Sequence, residues 1–375
     1  MRICVIGGGH IGTALVCYIK HYNPNHYISL YTRRPERFFQ VIKCNDIEGG
    51  YSYAVKPDVI SDDPAIAAKD ANLVLIALPH FAVEKAFKDV SPFVEEDAFI
   101  GIVPGSGGNE FYFERYFKNA HLFGLQRVPF TAKLVEYGRE VNLKSWKPYS
   151  VVGSFYRADN SKACELLEQC GLKTRKAANY LAVSLTPSNP VLHTSRNFEL
   201  FGETNRDDEY DEIPKFYVGW GDIASSTMLS IDAELHALFD AIPGLDMSSV
   251  KPLTEHYGVK DEASMTKKIN SIATFQTVNA PMIPSPYTQG KYIVDTESRM
   301  FTEDFPWGLA IIRGYCEIFQ IPAPTIDKVL GWYASFMGLE YYVGESFVGN
   351  DLSKTGIPQN YGISEPHQVV ELFSK

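Results

Sequence analysis

Apolar residues in the first half of the chain fall into short runs separated by stretches of helical spacing. Residues 3–6 and 27–31 are apolar runs of strand length, and residues 11–22 between them carry the spacing of an amphipathic helix. Residues 73–78 form a continuous apolar run ending at Pro79, as expected for a strand buried on both faces. Residues 81–93 return to helical spacing, and 99–103 and 122–125 read as two further strands. Such alternation predicts a parallel sheet with helices on both faces. Residues 41–62 break the pattern: Gly49-Gly50 followed by alternating Tyr51 and Tyr53 predicts a local hairpin.

From about residue 186 the period becomes helical. Met228, Ile231, Leu235, Leu238 and Phe239 share one face of a helix over 224–242, which Pro243-Gly244 ends. Residues 265–278, 308–319 and 325–337 predict three more helices. Pro281, Pro284, Pro286 and Gly290 mark 280–297 as an ordered loop that places something functional. The expected fold is α/β: a doubly wound parallel sheet over 1–185, then an all-helical domain over 186–375. The boundary falls in Thr186-Pro187-Ser188-Asn189-Pro190.

Gly7-Gly8-Gly9-His10-Ile11-Gly12 follows the first strand and opens the first helix, the context that gives G-x-G-x-x-G its meaning. Gly7 permits the tight turn, Gly9 lets the backbone approach a pyrophosphate, and Gly12 lets helix and strand pack closely. The helix that begins at His10 and Ile11 then offers free N–H groups to the phosphates. The N-terminal domain is therefore expected to be a Rossmann domain that binds a dinucleotide. The second strand ends in Tyr31-Thr32-Arg33-Arg34, where an NAD binder usually carries Asp or Glu. Two guanidiniums favour a 2′-phosphate. At roughly 1.5–3 kcal/mol per charge-assisted hydrogen bond, they shift the preference toward NADP by on the order of a hundredfold or more. NAD is the less favoured cofactor. Leu78-Pro79 and Pro104-Gly105 end the next two strands and read as backbone contacts to the cofactor or as plain turn residues.

Composition narrows the function further. The chain has 375 residues, 45% hydrophobic and 21% charged, which is ordinary globular composition. Net charge is −10 and no basic stripe is visible, so nucleic acid is not an expected partner. No apolar run approaches the roughly 20 residues needed to span a bilayer. Met1-Arg2 runs straight into a strand, so no signal peptide is expected. Six cysteines without C-x-x-C or zinc spacing read as reduced thiols in a cytoplasmic protein with no metal.

A hydride donor that reduces a carbonyl or imine needs a proton partner. Asn189 can cap a helix and Pro190 suits its first position, which puts His193 in the first turn, at the domain junction. A helix N-terminus disfavours imidazolium, and a carboxylate partner would restore basicity and fix the tautomer. On these residues alone, catalysis and a core or capping role for His193 stand level. Arg299-Met300-Phe301-Thr302-Glu303-Asp304 sets three charges among aromatics. Its charge pattern alone reads as a helix start with favourable acids.

Taken together, Asn189-Pro190-x-x-His193 and Arg299-x-x-Thr302-Glu303-Asp304-x-Pro306-x-Gly308 resemble the opine dehydrogenases, the octopine/nopaline dehydrogenase family. Pro129, Glu136-Tyr137-Gly138 and Val141 are similar to that family's segment after the last Rossmann strands. Thr355-Gly356-Ile357-Pro358 and Gly362 are similar to its C-terminal end. The resemblance implies an NAD(P)-dependent oxidoreductase that condenses the amine of an amino acid with a 2-keto acid and reduces the imine. It further implies His193 as acid/base, Asp304 as the group that orients and charges the imidazole, and Arg299 as the holder of a substrate carboxylate. Asn189 positions substrate or caps its helix. The loop over 129–133 lies where the family recognises the amino donor, and the neutral Gln126 and Ala132 give no sign of a cationic one. A homodimer is a candidate assembly. Two rivals remain. One is an NADP-dependent 2-keto or hydroxy acid reductase of the ketopantoate reductase or hydroxyacid dehydrogenase type, many of which use a catalytic lysine; Lys267 and Lys268 sit on a candidate helix, but no motif surrounds them. The other is a non-catalytic NADP(H) sensor, which has no need of His193, Arg299 and Asp304.

Overall fold

The short apolar runs form strands because each is too brief for a helix and is covered on both sides. A computed structural model describes all 375 residues, which divide into two units. The first holds residues 1–186, with Leu245–Ser249 and Glu371–Lys375; the second holds 187–244 and 250–370. The expected span 186–375 is thus corrected at two short segments. Hydrogen bonds explain why they join the first unit: Asn179 Nδ2 donates to Asp246 O at 2.9 Å, Gln126 Nε2 to Ser249 Oγ at 3.3 Å, and Arg157 N to Lys375 O at 2.8 Å.

Strands of the first unit are β1 (Arg2–Ile6), β2 (Tyr27–Tyr31), β3 (Ile42–Asp46), β4 (Tyr51–Val55), β5 (Val59–Ser61), β6 (Leu73–Ile76), β7 (Phe99–Ile102), β8 (His121–Leu125), β9 (Phe130–Glu136), β10 (Glu140–Trp146), β11 (Ser150–Ser154) and β12 (Thr174–Lys176). The main sheet runs β12-β11-β8-β7-β6-β1-β2-β5. Its stretch from β5 to β8 is all parallel, in the doubly wound order of dinucleotide-binding domains. Val5, Leu30, Leu75 and Leu122 are wholly buried in it. So are Leu15, Val16 and Ile19 of helix α1 (His10–Tyr22), each such side chain contributing roughly 1.5–3 kcal/mol. The apolar run over 73–78 stops being strand at Ile76. Leu78-Pro79 leads through a single turn, His80–Ala82, into α2 (Val83–Val90), shorter than the 81–93 its spacing predicts.

The predicted hairpin is β3–β4, but it does not stand alone. It joins a second sheet, β4-β3-β10-β9, in which β3 and β10 are parallel. Lys43 Nζ bonds Glu140 at 3.0 Å, and Asn45 Nδ2 donates to Glu140 and Asn142, both at 2.7 Å, fixing the register. The segment over 129–133 is therefore largely strand β9, not a loop. The Glu136-Tyr137-Gly138 turn closes on residues 37–39: Gly138 has φ +74° and its carbonyl accepts from Phe39 N at 3.0 Å, while Arg37 lies over the Tyr137 ring.

The second unit is built on α3 (Asn189–Phe201), α4 (Asp222–Ala241), α5 (Glu262–Ser271), α6 (Ala310–Ile318) and α7 (Pro324–Met337). The predicted stripe of α4 is buried in full. Helix α5 ends earlier than 278 because Ile272 is extended, and a short turn, Ala273–Phe275, follows. The proline-rich stretch is a small hairpin, β13 (Met282–Pro284) and β14 (Tyr292–Val294), so the unit is helical with one hairpin rather than all-helical. No helix is long and apolar enough to cross a membrane. All six cysteines are buried free thiols.

Candidate active site

The glycine turn is shaped for a ligand in one direction and for packing in the other. Gly7 has φ +112°, and its N–H donates to Tyr31 O at 3.0 Å. A Cβ on Gly12 would collide with the Gly7 carbonyl, so only glycine lets α1 start against β1. A Cβ on Gly9 would meet nothing within 4 Å, which leaves space on the side where a pyrophosphate approaches. No side chain caps α1, and no acid occupies its first turn, so the N–H groups from His10 and Ile11 onward open to an anion. The His10 ring itself is engaged elsewhere, accepting from Leu134 N at 3.0 Å. Leu78 packs its side chain on Gly7.

Thr32 is buried and sits against Gly8 together with Phe38. Arg33 and Arg34 follow it, both exposed and neither in an ion pair. A dinucleotide fits these residues. Gly105 is tied into the sheet. Its N–H donates to Leu125 O at 2.8 Å, and a Cβ there would strike Val183 and Gly124, so this glycine serves backbone packing.

In the second unit, α3 begins at Asn189 with Ser188 before it, so Asn189 is the first helical residue rather than the cap. Its side chain is exposed. His193 lies in the second turn, not the first, on the same side of the helix as Asn189 four residues earlier. Its Nδ1 meets Asp304 Oδ2 at 2.7 Å and its Nε2 meets Tyr217 Oη at 2.8 Å, all three residues being buried. A carboxylate only accepts, so Nδ1 carries a hydrogen, and in the neutral ring Nε2 holds the lone pair.

The Asp304 side of this pair rests on an unusual turn. Arg299–Thr302 is a single helical turn, and Phe305–Leu309 is a π-helical turn in which Leu309 N donates to Asp304 O at 2.9 Å. Pro190 packs directly on Gly308, where any Cβ would collide with its ring. That contact draws the start of α3 against the π turn. Gly356 closes the other side: its N–H donates to Pro306 O at 3.0 Å, and a Cβ there would strike Trp307. Two motifs far apart in the chain thus meet for a packing reason.

Arg299 Nε bonds the buried Glu303 at 2.5 Å. Partial desolvation opposes its charge, but Glu303 and Asp304 hold its pKa above the ordinary value. The guanidinium is exposed, and its two terminal amino groups stay uncommitted. The predicted His193, Asp304 and Arg299 therefore gather in one unit.

Residues that sequence reasoning missed complete the arrangement. Tyr217 stacks on Phe275, with ring centroids 4.0 Å apart. Burial, then Tyr257 and Asp304, push its phenol far above the ordinary range. Arg196, one turn after His193, donates from Nε to Phe216 O at 2.6 Å and pairs with Glu199. Glu199 accepts from Gly221 N and Ala224 N, both at 3.1 Å, at the start of α4. His193, Arg196 and Glu199 recur every three residues along α3, and that spacing was the available signal.

Residues 176–337 match the family described as NAD/NADP octopine/nopaline dehydrogenase, alpha-helical domain, and residues 2–105 match the N-terminus of NAD-dependent glycerol-3-phosphate dehydrogenase. Tauropine dehydrogenase of Arabella iricolor is 26% identical, over 96% of this chain and 98% of its own length. Octopine dehydrogenase of Pecten maximus is 24% identical, over 97% of each. A solved octopine dehydrogenase structure with NADH and pyruvate superposes with a TM-score of 0.82 at 22% identity, covering 99% of this chain and 98% of that one, a likeness of fold. Residues 176–337 thus form an octopine/nopaline dehydrogenase helical domain, and the whole chain aligns with NAD(P)-dependent dehydrogenases of that kind.

Proposed function

We propose that the protein joins the amine of an amino acid to a 2-keto acid and reduces the resulting imine, with NADPH as its preferred cofactor. The observation that carries this reading is the buried His193–Asp304 pair with the uncommitted guanidinium fork of Arg299 at the same short segment. Curated relatives named tauropine and octopine dehydrogenase support it.

Each residue has a defined task. Arg299 holds the carboxylate of the keto acid through its planar fork. His193 takes a proton from the amino acid's ammonium on Nε2 and passes it to the keto oxygen as the freed amine attacks; it then takes a proton from the new C–N nitrogen and gives it to the hydroxyl that leaves as water. Asp304 stabilises the imidazolium that forms and keeps the ring in one orientation. Asn189, on the His193 side of α3, helps to position substrate. The cofactor supplies a hydride when bound. Gly7, Gly9 and Gly12 hold its pyrophosphate at the start of α1, Thr32 lines the ribose end, and Leu78 and Pro79 face it from the end of β6. Arg33 and Arg34 select the 2′-phosphate, since both are exposed at the end of β2 and no acid intervenes.

The deciding experiment measures NADPH oxidation with an array of amino acids, each paired with pyruvate, 2-ketoglutarate or glyoxylate. Oxidation that requires the amine is expected. Equal oxidation with the keto acid alone would make the protein a keto acid reductase. No oxidation with any pair, with NADPH still bound, would make it a sensor.

A further inference from the structure

The working nitrogen of His193 is not open in this structure. Asp304 accepts the Nδ1 hydrogen at 2.7 Å, so in the neutral ring the Tyr217 hydroxyl at 2.8 Å donates to the Nε2 lone pair. Nothing about that phenol is loose. Its ring stacks on Phe275, at 4.0 Å and 18°, and lies near-parallel to Trp220, at 6.2 Å and 17°. The preceding residue is tied to α3 by the Arg196 bond to Phe216 O. Nε2 has one in-line position, so a substrate oxygen and the Tyr217 hydroxyl exclude each other there.

We propose that Tyr217 is a positioning residue that donates to Nε2 of the neutral His193 ring in the substrate-free protein, and yields that position once Nε2 has taken a proton from the amino acid's ammonium and turns it toward the oxygen of the keto acid. This rests on the reading of His193 as the acid/base. The geometry has a thermodynamic consequence. A keto acid that binds must displace an existing hydrogen bond, so its apparent affinity is lowered by the population in which that bond is made. Before it is displaced, the hydroxyl helps to keep the idle imidazole in one tautomer, with Nε2 aimed at the place the substrate will take.

Tyr217→Phe removes the hydroxyl and keeps the ring stack. The value of kcat/KM for the keto acid should rise by roughly two- to tenfold, the worth of one hydrogen bond, with the change carried by KM. A value that stays the same or falls overturns the proposal. A second measurement needs no substrate. In ¹⁵N-histidine-labelled wild type, with the ring neutral, His193 should appear as the Nδ1–H tautomer, and its Nε2 resonance should move downfield in Tyr217→Phe. A wild-type Nε2–H tautomer, or an Nε2 resonance indifferent to the substitution, overturns the proposal. The tautomer assignment uses wild type alone, so it decides even where the variant folds poorly. An enzyme silent toward every amine and keto acid would end the opine reading, while the resonances would still judge Tyr217.

Discussion

Gly308→Ala tests whether packing between Pro190 and the π turn sets the geometry of the His193–Asp304 pair. An added Cβ falls well inside the 3.4 Å at which ordinary contact with the Pro190 ring begins. The ring is rigid and sits in the first turn of α3, so relief requires the start of α3 and the π turn to separate by about 1 Å, a displacement that can cost on the order of a hundredfold in rate. His193 and Asp304 lie on the two sides of that contact, and their bond is 2.7 Å long. Moving them apart by that amount takes the pair beyond hydrogen-bonding distance. Overpacking of this kind costs about 1–3 kcal/mol of stability, which a well-formed domain survives. The expected outcome is a folded protein with a modestly lowered melting temperature, unchanged NADPH binding, and kcat reduced by on the order of a hundredfold. Steady-state kinetics, calorimetry and a cofactor titration measure the three quantities. A variant with wild-type kcat would refute the reasoning, because it would show that the pair keeps its geometry without the glycine.

Other expectations follow from single sites. His193→Ala should lower turnover by roughly 10²–10⁴ while NADPH still binds, as read by stopped-flow absorbance and fluorescence titration. Arg33→Ala/Arg34→Ala should shift the ratio of kcat/KM for NADPH over NADH toward NADH by on the order of a hundredfold, and an unmoved ratio would remove both residues from cofactor choice. Glu110 gives a pH signature of stability. Burial raises its carboxyl from 4.5 to about 7, against the lowering effect of the Ser184 hydroxyl, which donates to it at 2.6 Å. The folded chain thus keeps a proton that the unfolded chain loses between those values, so stability falls as pH rises through that window, by roughly 3 kcal/mol in all. Glu110→Gln should flatten this slope in urea melts at pH 5 and 7.5; a slope identical to wild type would show that Glu110 does not titrate there.

What the sequence disclosed depended on how local the physical cause was. Gly7, Gly9 and Gly12 were readable because each requirement arises within one turn of chain. The buried stripe of α4 was readable because period alone defines it. The second sheet was half visible: β3 and β4 carry their own turn, whereas their partner β10 lies 97 residues away and announces itself only through pairing. The π turn was hidden because Pro306 and Gly308 look like a helix start, and the i+5 bond from Leu309 to Asp304 leaves no periodic trace. Gly105 was ambiguous because glycine after a strand serves ligand approach and backbone packing alike. Tyr217 could not be found at all. It sits in a stretch without period, and only the anchoring by Arg196 brings it to His193.

The parallel pairing of β3 with β10 has a consequence for synthesis. At roughly 5–20 residues per second, the ribosome needs about 5 to 20 seconds to deliver the strand that β3 awaits. Through that interval the nascent hairpin presents a bare rim of peptide groups to every other growing chain. Lys43 and Asn45, later committed to Glu140 and Asn142, stand on that rim from the start. The polar groups that set register in the finished sheet also deter premature partners while the chain is being made.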